Sequence, residues 1–223
     1  VGTAHRDPKG KPRLLALLEK EKPAFITVEI SPYARAFRVR EAAAFRAVLR
    51  ENLEKIHEEE RIPWRELLSH GAVQGIFFLL KEPYEWRAAE EYARESGAVL
   101  EDIDLSRYSA EKLSRIPELV SQNNLRFLLR SSCTGMAEQA AAQYRRARAH
   151  FSKPPSLWPQ SSEDLERESF MAGRIRRIFH RAGGKKVLHV GGWEHLVEFS
   201  GGVTLFGLLQ DLRPGRMLLA GGE

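Results

Sequence analysis

A chain of 223 residues, 43% hydrophobic and 29% charged, is long enough for one well-filled core and short for two. Its single cysteine, Cys133, excludes an internal disulfide and a thiolate metal cage; any metal is left with nitrogen and oxygen donors, and the pattern fits a reducing cytoplasm. The net charge of +5 invites a nucleic-acid partner, but the arginines at 145, 146 and 148 and at 174, 176, 177 and 181 are interleaved with alanine and isoleucine as on solvated helix faces, without aromatic stacking motifs, which weighs against one.

Pro12 to Glu21, with leucines at 14, 15, 17 and 18, reads as an amphipathic helix that stops before Pro23. Ala24–Ile30 is short, β-branched and followed by Ser31-Pro32, so it reads as a buried strand carrying an anomalous charge, Glu29, at its carboxyl end. A helical pattern runs from Ala34 to about Glu60, and another from Trp64 into Phe78. Tyr84 to Glu95 followed by Ser96-Gly97 and the apolar run 98–105 is a helix-to-strand unit of a parallel α/β fold. Residues 109–150 read as a helical insertion, with turns near Pro117 and at 131–134 and with Cys133 as a small buried residue. The stretch 152–159 is the most loop-like. A helix is expected from about Ser162 to Ala182, capped by Gly183-Gly184, on which Phe170, Met171 and Ile175 pack; then a strand at 186–190 and a helix over Val203–Leu212. No apolar stretch approaches the roughly 18 to 20 residues that span a bilayer, and no targeting segment is visible. The expected fold is a single α/β domain over 1–223, with a mainly parallel central sheet flanked by helices. The strand that should precede Gly2 is missing from this reading.

Two G-x-x-H tetrapeptides, Gly2-Thr3-Ala4-His5 and Gly192-Trp193-Glu194-His195, place histidines just past strands. In an open parallel sheet the functional crevice lies outside the carboxyl ends of the strands, and His5, Glu29, Asp104 and His195 all fall at expected strand exits. Two imidazoles and a carboxylate are a familiar ligand set for a divalent ion that keeps a position open for water. His189 lies within a strand and reads as a satisfied interior histidine or one that supports the site from behind.

The segments Gly2-Thr-Ala-His5, Phe25-Ile-Thr-Val-Glu29, Glu166-Arg-Glu-Ser-Phe-Met-Ala172 and Val187-Leu-His-Val-Gly-Gly-Trp-Glu-His-Leu196 together resemble the TraB/Tiki group in motif type and order. That resemblance implies a compact α/β domain of the superfamily that also holds erythromycin-esterase-like and ChaN-like proteins. It implies a metal-dependent hydrolase, most concretely a peptidase, using Mn, Co or Zn. On that model His5 and His195 bind metal, Glu29 is a third ligand or the general base, and Arg167 stabilises an oxyanion or neutralises Glu29. Gly2, Arg35, Asp104, Glu166, Gly192 and Glu194 form the expected rim. The substrate is a peptide or a small molecule, and an oligomer stays open. The alternatives are a non-catalytic haem- or small-ligand-binding protein of the ChaN-like type, with Phe77, Phe78, Trp86 and Trp193 lining an apolar pocket, and a regulatory protein acting on peptide signals.

Overall fold

The computed structural model describes residues 1–131, 133–156, 160–198 and 203–220. Four strands, β1 (Gly2–Thr3), β2 (Phe25–Val28), β3 (Val99–Asp102) and β4 (Val187–Gly192), form one sheet in the order β1-β4-β2-β3. Every pairing is parallel, as the expected α/β class requires. The strand missing from the sequence reading is the first motif itself: Gly2 pairs with Gly191 and Thr3 with Gly192. Two residues without apolar alternation carry no strand signature, so only the partner reveals them. Part of the 152–159 loop, at 157–159, lies outside the described residues, as does Ser132 in the turn expected at 131–134.

The chain divides into two compact units, one built from 1–31, 84–105 and 140–223, the other from 32–83 and 106–139. The first contains the sheet. Its helix α1 (Gly10–Glu21) buries Leu14 and Leu18 and ends on Lys22 in the left-handed region at φ 47°. It packs on α6 (Tyr84–Ser96), which also lies against β2 and β3. Along β2 side chains alternate: Ile26 and Val28 are fully buried on one face, while Phe25 joins Val187, Ile103, Met171 and Ile175 in a cluster with helix α11 (Ser162–Ala182) on the other. α11 starts with a capping box between Ser161 and Asp164 and ends at Gly183, φ 58°, at the expected boundaries. Phe170 is not part of its packed face, being 36% exposed, whereas Met171 and Ile175 are buried. The expected helix over 203–212 is only Leu205–Leu208 (α12) followed by a tight turn, Gln210–Leu212.

The second unit holds α2 (Pro32–Arg40), α3 (Ala42–Glu60), α4 (Trp64–Ser69), α5 (Gly71–Leu79), α7 (Ser106–Ser114), α8 (Ile116–Leu119) and α9 (Gln122–Leu129). The one helix expected over 34–60 is two, split at Glu41, and the one expected over 64–78 breaks at His70, whose extended backbone begins α5. Neither break has a proline or glycine before it to announce it. Leu49, Leu53 and Ile56 of α3 are buried, and Arg126 of α9 pairs with Glu59 and Glu60. The boundary between the units at 139/140 falls inside α10 (Met136–Ser152). Cys133, expected to be buried, is exposed in the turn before α10. No helix among the described residues is long and apolar enough to cross a membrane.

Gly10 opens α1 because the Tyr84 ring lies over it: a β-carbon there would stand 2.2–2.6 Å from three ring atoms. Tyr84 is itself buried and has no room to withdraw. Gly10→Ala is therefore expected to lower stability by about 1–3 kcal/mol, the usual range for overpacking, read as a shift in denaturant midpoint. An unchanged midpoint would show that α1 and α6 are not packed this closely.

Candidate functional site

The sheet order sets the site. His5 follows β1, His195 sits in the turn Trp193–Leu196 after β4, Glu29 ends β2 and Asp104 follows β3, so the spatial order of strands places these four residues side by side along one rim. All lie in the first unit, together with Arg167 of α11.

Glu29 is at the centre, with its side chain 4% exposed. Its Oε1 lies 3.0 Å from His195 Nε2 and accepts a hydrogen bond from Arg167 Nη2. Its Oε2 accepts the Gly192 backbone N–H at 2.5 Å and faces His5 Nε2 at 3.8 Å. Arg167 is fixed in turn by Asp104, donating from Nε to Oδ1 at 2.7 Å and from Nη2 to Oδ2 at 2.8 Å. The two motif glycines allow this approach. A β-carbon on Gly191 would stand 2.9 Å from Glu29 Oε2, and one on Gly192 would stand 2.9 Å from His5 Nε2.

Both histidines are gripped from behind. His5 Nδ1 is 2.9 Å from Oε1 of Glu85, a buried residue of α6 that also accepts from Thr3 Oγ1 at 3.0 Å. His195 Nδ1 is 2.6 Å from Oε1 of Glu168, a buried residue of α11 whose Oε2 accepts the Leu205 backbone N–H at 2.8 Å. A carboxylate accepts and the ring must donate, so this bonding pattern assigns the proton to Nδ1 and turns Nε2 toward Glu29 in each case.

Electrostatics follow from these contacts. Burial works against a charged His195, but Glu29 and the bond to Glu168 outweigh it and raise its pKa to about 10. His5, half exposed, is raised to about 9, with burial opposed by the bond to Glu85 and the charges of Glu29 and Glu85. Burial would raise Glu29, yet His195 and Arg167 hold it well below the usual carboxylate range. Against burial, Glu29 and Asp104 raise Arg167 further.

Of the expected rim residues, Gly2 is in β1 and Gly192 bonds Glu29, while Glu166 and Glu194 are exposed. Arg35 belongs to α2 of the other unit, and Phe77 and Phe78 to its α5. Trp193 is 2% exposed, stacked on His150 with ring centres 5.9 Å apart and donating to Gln143, so it is core rather than pocket wall. Glu85 and Glu168 are the residues sequence reasoning missed. Glu168 adjoins Arg167, which was a usable signal; Glu85, in an acidic helix, offered none. His189 bonds Thr27 Oγ1 through Nδ1 at 3.0 Å, but its Nε2 is buried without a partner among the described residues, so it is only half satisfied. No family model matches the chain, and neither a curated protein nor a solved structure does.

The raised His195 pKa has a signed consequence. Its charged form contributes stability that is complete below the ordinary value of 6.5 and is lost as pH climbs through about 10. Glu29 works in the opposite direction, contributing above 4.5 and losing that contribution as pH falls toward its depressed value. Chelator-treated protein should therefore show its highest denaturant midpoint near about pH 5–6 and a decline toward about pH 10. Glu168→Gln, which removes one cause of the His195 shift, should flatten that alkaline limb. A wild-type midpoint that is level across the alkaline range would contradict these charge assignments.

Proposed function

We propose that this chain is a metal-dependent hydrolase acting on peptide bonds, of the TraB/Tiki type that its motifs resemble. One observation carries the reading: two imidazoles, each held at Nδ1 by a buried carboxylate, turn Nε2 toward the same buried Glu29. Carboxylate–histidine pairs of this kind orient metal-binding imidazoles and make them stronger donors.

The donor set suits the group. Neutral imidazole nitrogen and carboxylate oxygen match Mn, Co or Zn, and the chain's single cysteine is exposed elsewhere. Among the described residues no three His, Cys, Asp or Glu side chains already form a cage; Glu29 Oε1 is instead bonded to His195 and Arg167. His5 Nε2, His195 Nε2 and a Glu29 oxygen are the atoms that would hold the ion. When bound, a divalent ion supplies a water of lowered pKa and polarises a carbonyl.

The chain's own residues divide the remaining work. Oε2 of Glu29 accepts the Gly192 N–H and faces His5 Nε2 at 3.8 Å. With its pKa held low by Arg167 and the imidazoles, Glu29 is a weak proton acceptor at neutral pH, which favours the ligand role over that of general base. Arg167 gives its bonds to Glu29 and Asp104 and is 13% exposed, which supports a positioning role. His5, 51% exposed, marks the side from which substrate approaches. The lone cysteine supports placing this activity in the cytoplasm.

Elemental analysis of purified protein, followed by peptide-pool digestion with Mn(II), Co(II) or Zn(II), tests the reading. His5→Ala and His195→Ala should each abolish metal retention and cleavage. Glu85→Gln and Glu168→Gln should weaken metal binding by about 10- to 100-fold while leaving both ligands in place. Wild-type protein that retains no metal, or histidine variants that cleave as well as wild type, would refute it. A Soret band on adding haem, lost in the same variants, would point to the ligand-binding alternative.

A further inference from the structure

His189 lies on the face of β4 that α11 covers, the same face as Glu29: it pairs across the sheet with Thr27, two residues before Glu29 on β2. Thr27 holds it at Nδ1, which leaves Nε2 as the ring's only other polar atom, and that atom is buried with no hydrogen-bond partner among the described residues. A buried polar atom left unmatched is costly, and one that a fold keeps calls for an explanation. A β-carbon built on Gly191 would lie 2.7 Å from His189 Nε2 and 2.9 Å from Glu29 Oε2, so both atoms close on the same side of the Gly191 backbone, an approach that a side chain there would block. This Glu29 oxygen is the one that faces His5 Nε2 at 3.8 Å. A neutral imidazole nitrogen and a carboxylate oxygen converging there are both donors of the type that borderline divalent ions take.

We propose that His189 is a further metal ligand of this site, contributing a third imidazole nitrogen beside His5, His195 and Glu29. The proposal rests on the metallohydrolase reading and extends it. Thr27 then has the part that Glu85 and Glu168 have for the other two rings, fixing Nδ1 so that Nε2 is presented. The neutral hydroxyl sets it apart from the two carboxylates, and it leaves His189 without a counter-charge at its back. A side chain at Gly191 would collide with both donors.

The test counts nitrogens in protein that is chelator-treated and reloaded with one equivalent of Cu(II) as a probe. Pulsed electron paramagnetic resonance of the wild type should report three coordinated imidazoles. The His189→Gln variant, which keeps a polar group beside Thr27, should report two and bind Co(II), followed by its visible spectrum, at least about tenfold more weakly. A wild-type count of two, with no change on substituting His189, overturns the third ligand and leaves the two-histidine site standing. Wild-type protein that takes up neither ion overturns both. Because the decisive count is made on wild-type protein, a variant that fails to fold does not protect the proposal.

Discussion

A carboxylate buried to 4% exposure at the end of a central strand is the constraint around which this molecule is arranged. An ionised group in such a place is tolerated only if charge and hydrogen bonds replace the water it has lost. Glu29 receives a guanidinium, an imidazole and a backbone amide. Each compensator then needs support of its own. Arg167 is pinned by Asp104, His195 by Glu168, and Glu168 by the Leu205 amide at the start of α12. The network runs from β3 to α12, and its members are sequence-distant parts of one polar unit. Removing a single partner from such a unit typically costs about 3–5 kcal/mol, because the other charge is left buried and uncompensated.

The order of the sheet makes the network possible. β4, the last strand in the chain, inserts between β1 and β2, the first two. That insertion brings the second G-x-x-H between the first and Glu29. The consecutive glycines Gly191 and Gly192 then serve two purposes. They let Glu29 and His5 close on the backbone, and on the other side Gly191 pairs with Gly2, where a β-carbon would meet Trp193 at 3.0 Å. Glycine weakens a strand by losing side-chain packing and adding backbone freedom. Here the loss is offset by the parallel pairings on both sides of β4 and by Trp193 packing beside them with Ala147 and Val197.

What was legible in the sequence follows the same physics. Strand exits could be read because a short β-branched run ending in an isolated charge is a pattern that solvated helices and loops rarely produce, which located Glu29, while Asp104 followed from the helix-to-strand unit and His195 from the G-x-x-H behind an apolar run. The first motif was legible only as a motif: its strand is two residues long, and its pairing depends on a segment almost the whole chain away. Glu85 was illegible for a different reason. A glutamate on the buried face of a charged helix looks the same in sequence as one on the wet face, and only the fold shows which way it points. The helix break at Glu41 has no proline or glycine beside it, whereas the one at His70 is marked only by Gly71 directly after it. Cys133 erred in the opposite sense, its residue type suggesting burial that its turn does not provide.

The two gripping carboxylates also define what the site must exchange to work as proposed. By fixing the Nδ1 protons they leave each Nε2 with one choice, a proton shared with Glu29 or a coordinate bond. The pKa values of about 9 and 10 mean that at neutral pH the proton occupies both rings. An ion binding there must therefore displace two protons, so its affinity rises with pH and each binding event releases acid. Glu29 keeps its charge throughout because Arg167 does not titrate in this range. The carboxylate is thus the fixed element, and the imidazoles are the ones that change state. Protonated, they stabilise the folded protein through Glu29; deprotonated, they become donors. The same contacts therefore set structural stability against metal affinity, and Glu29 together with Glu85 and Glu168 sets the pH at which the two balance.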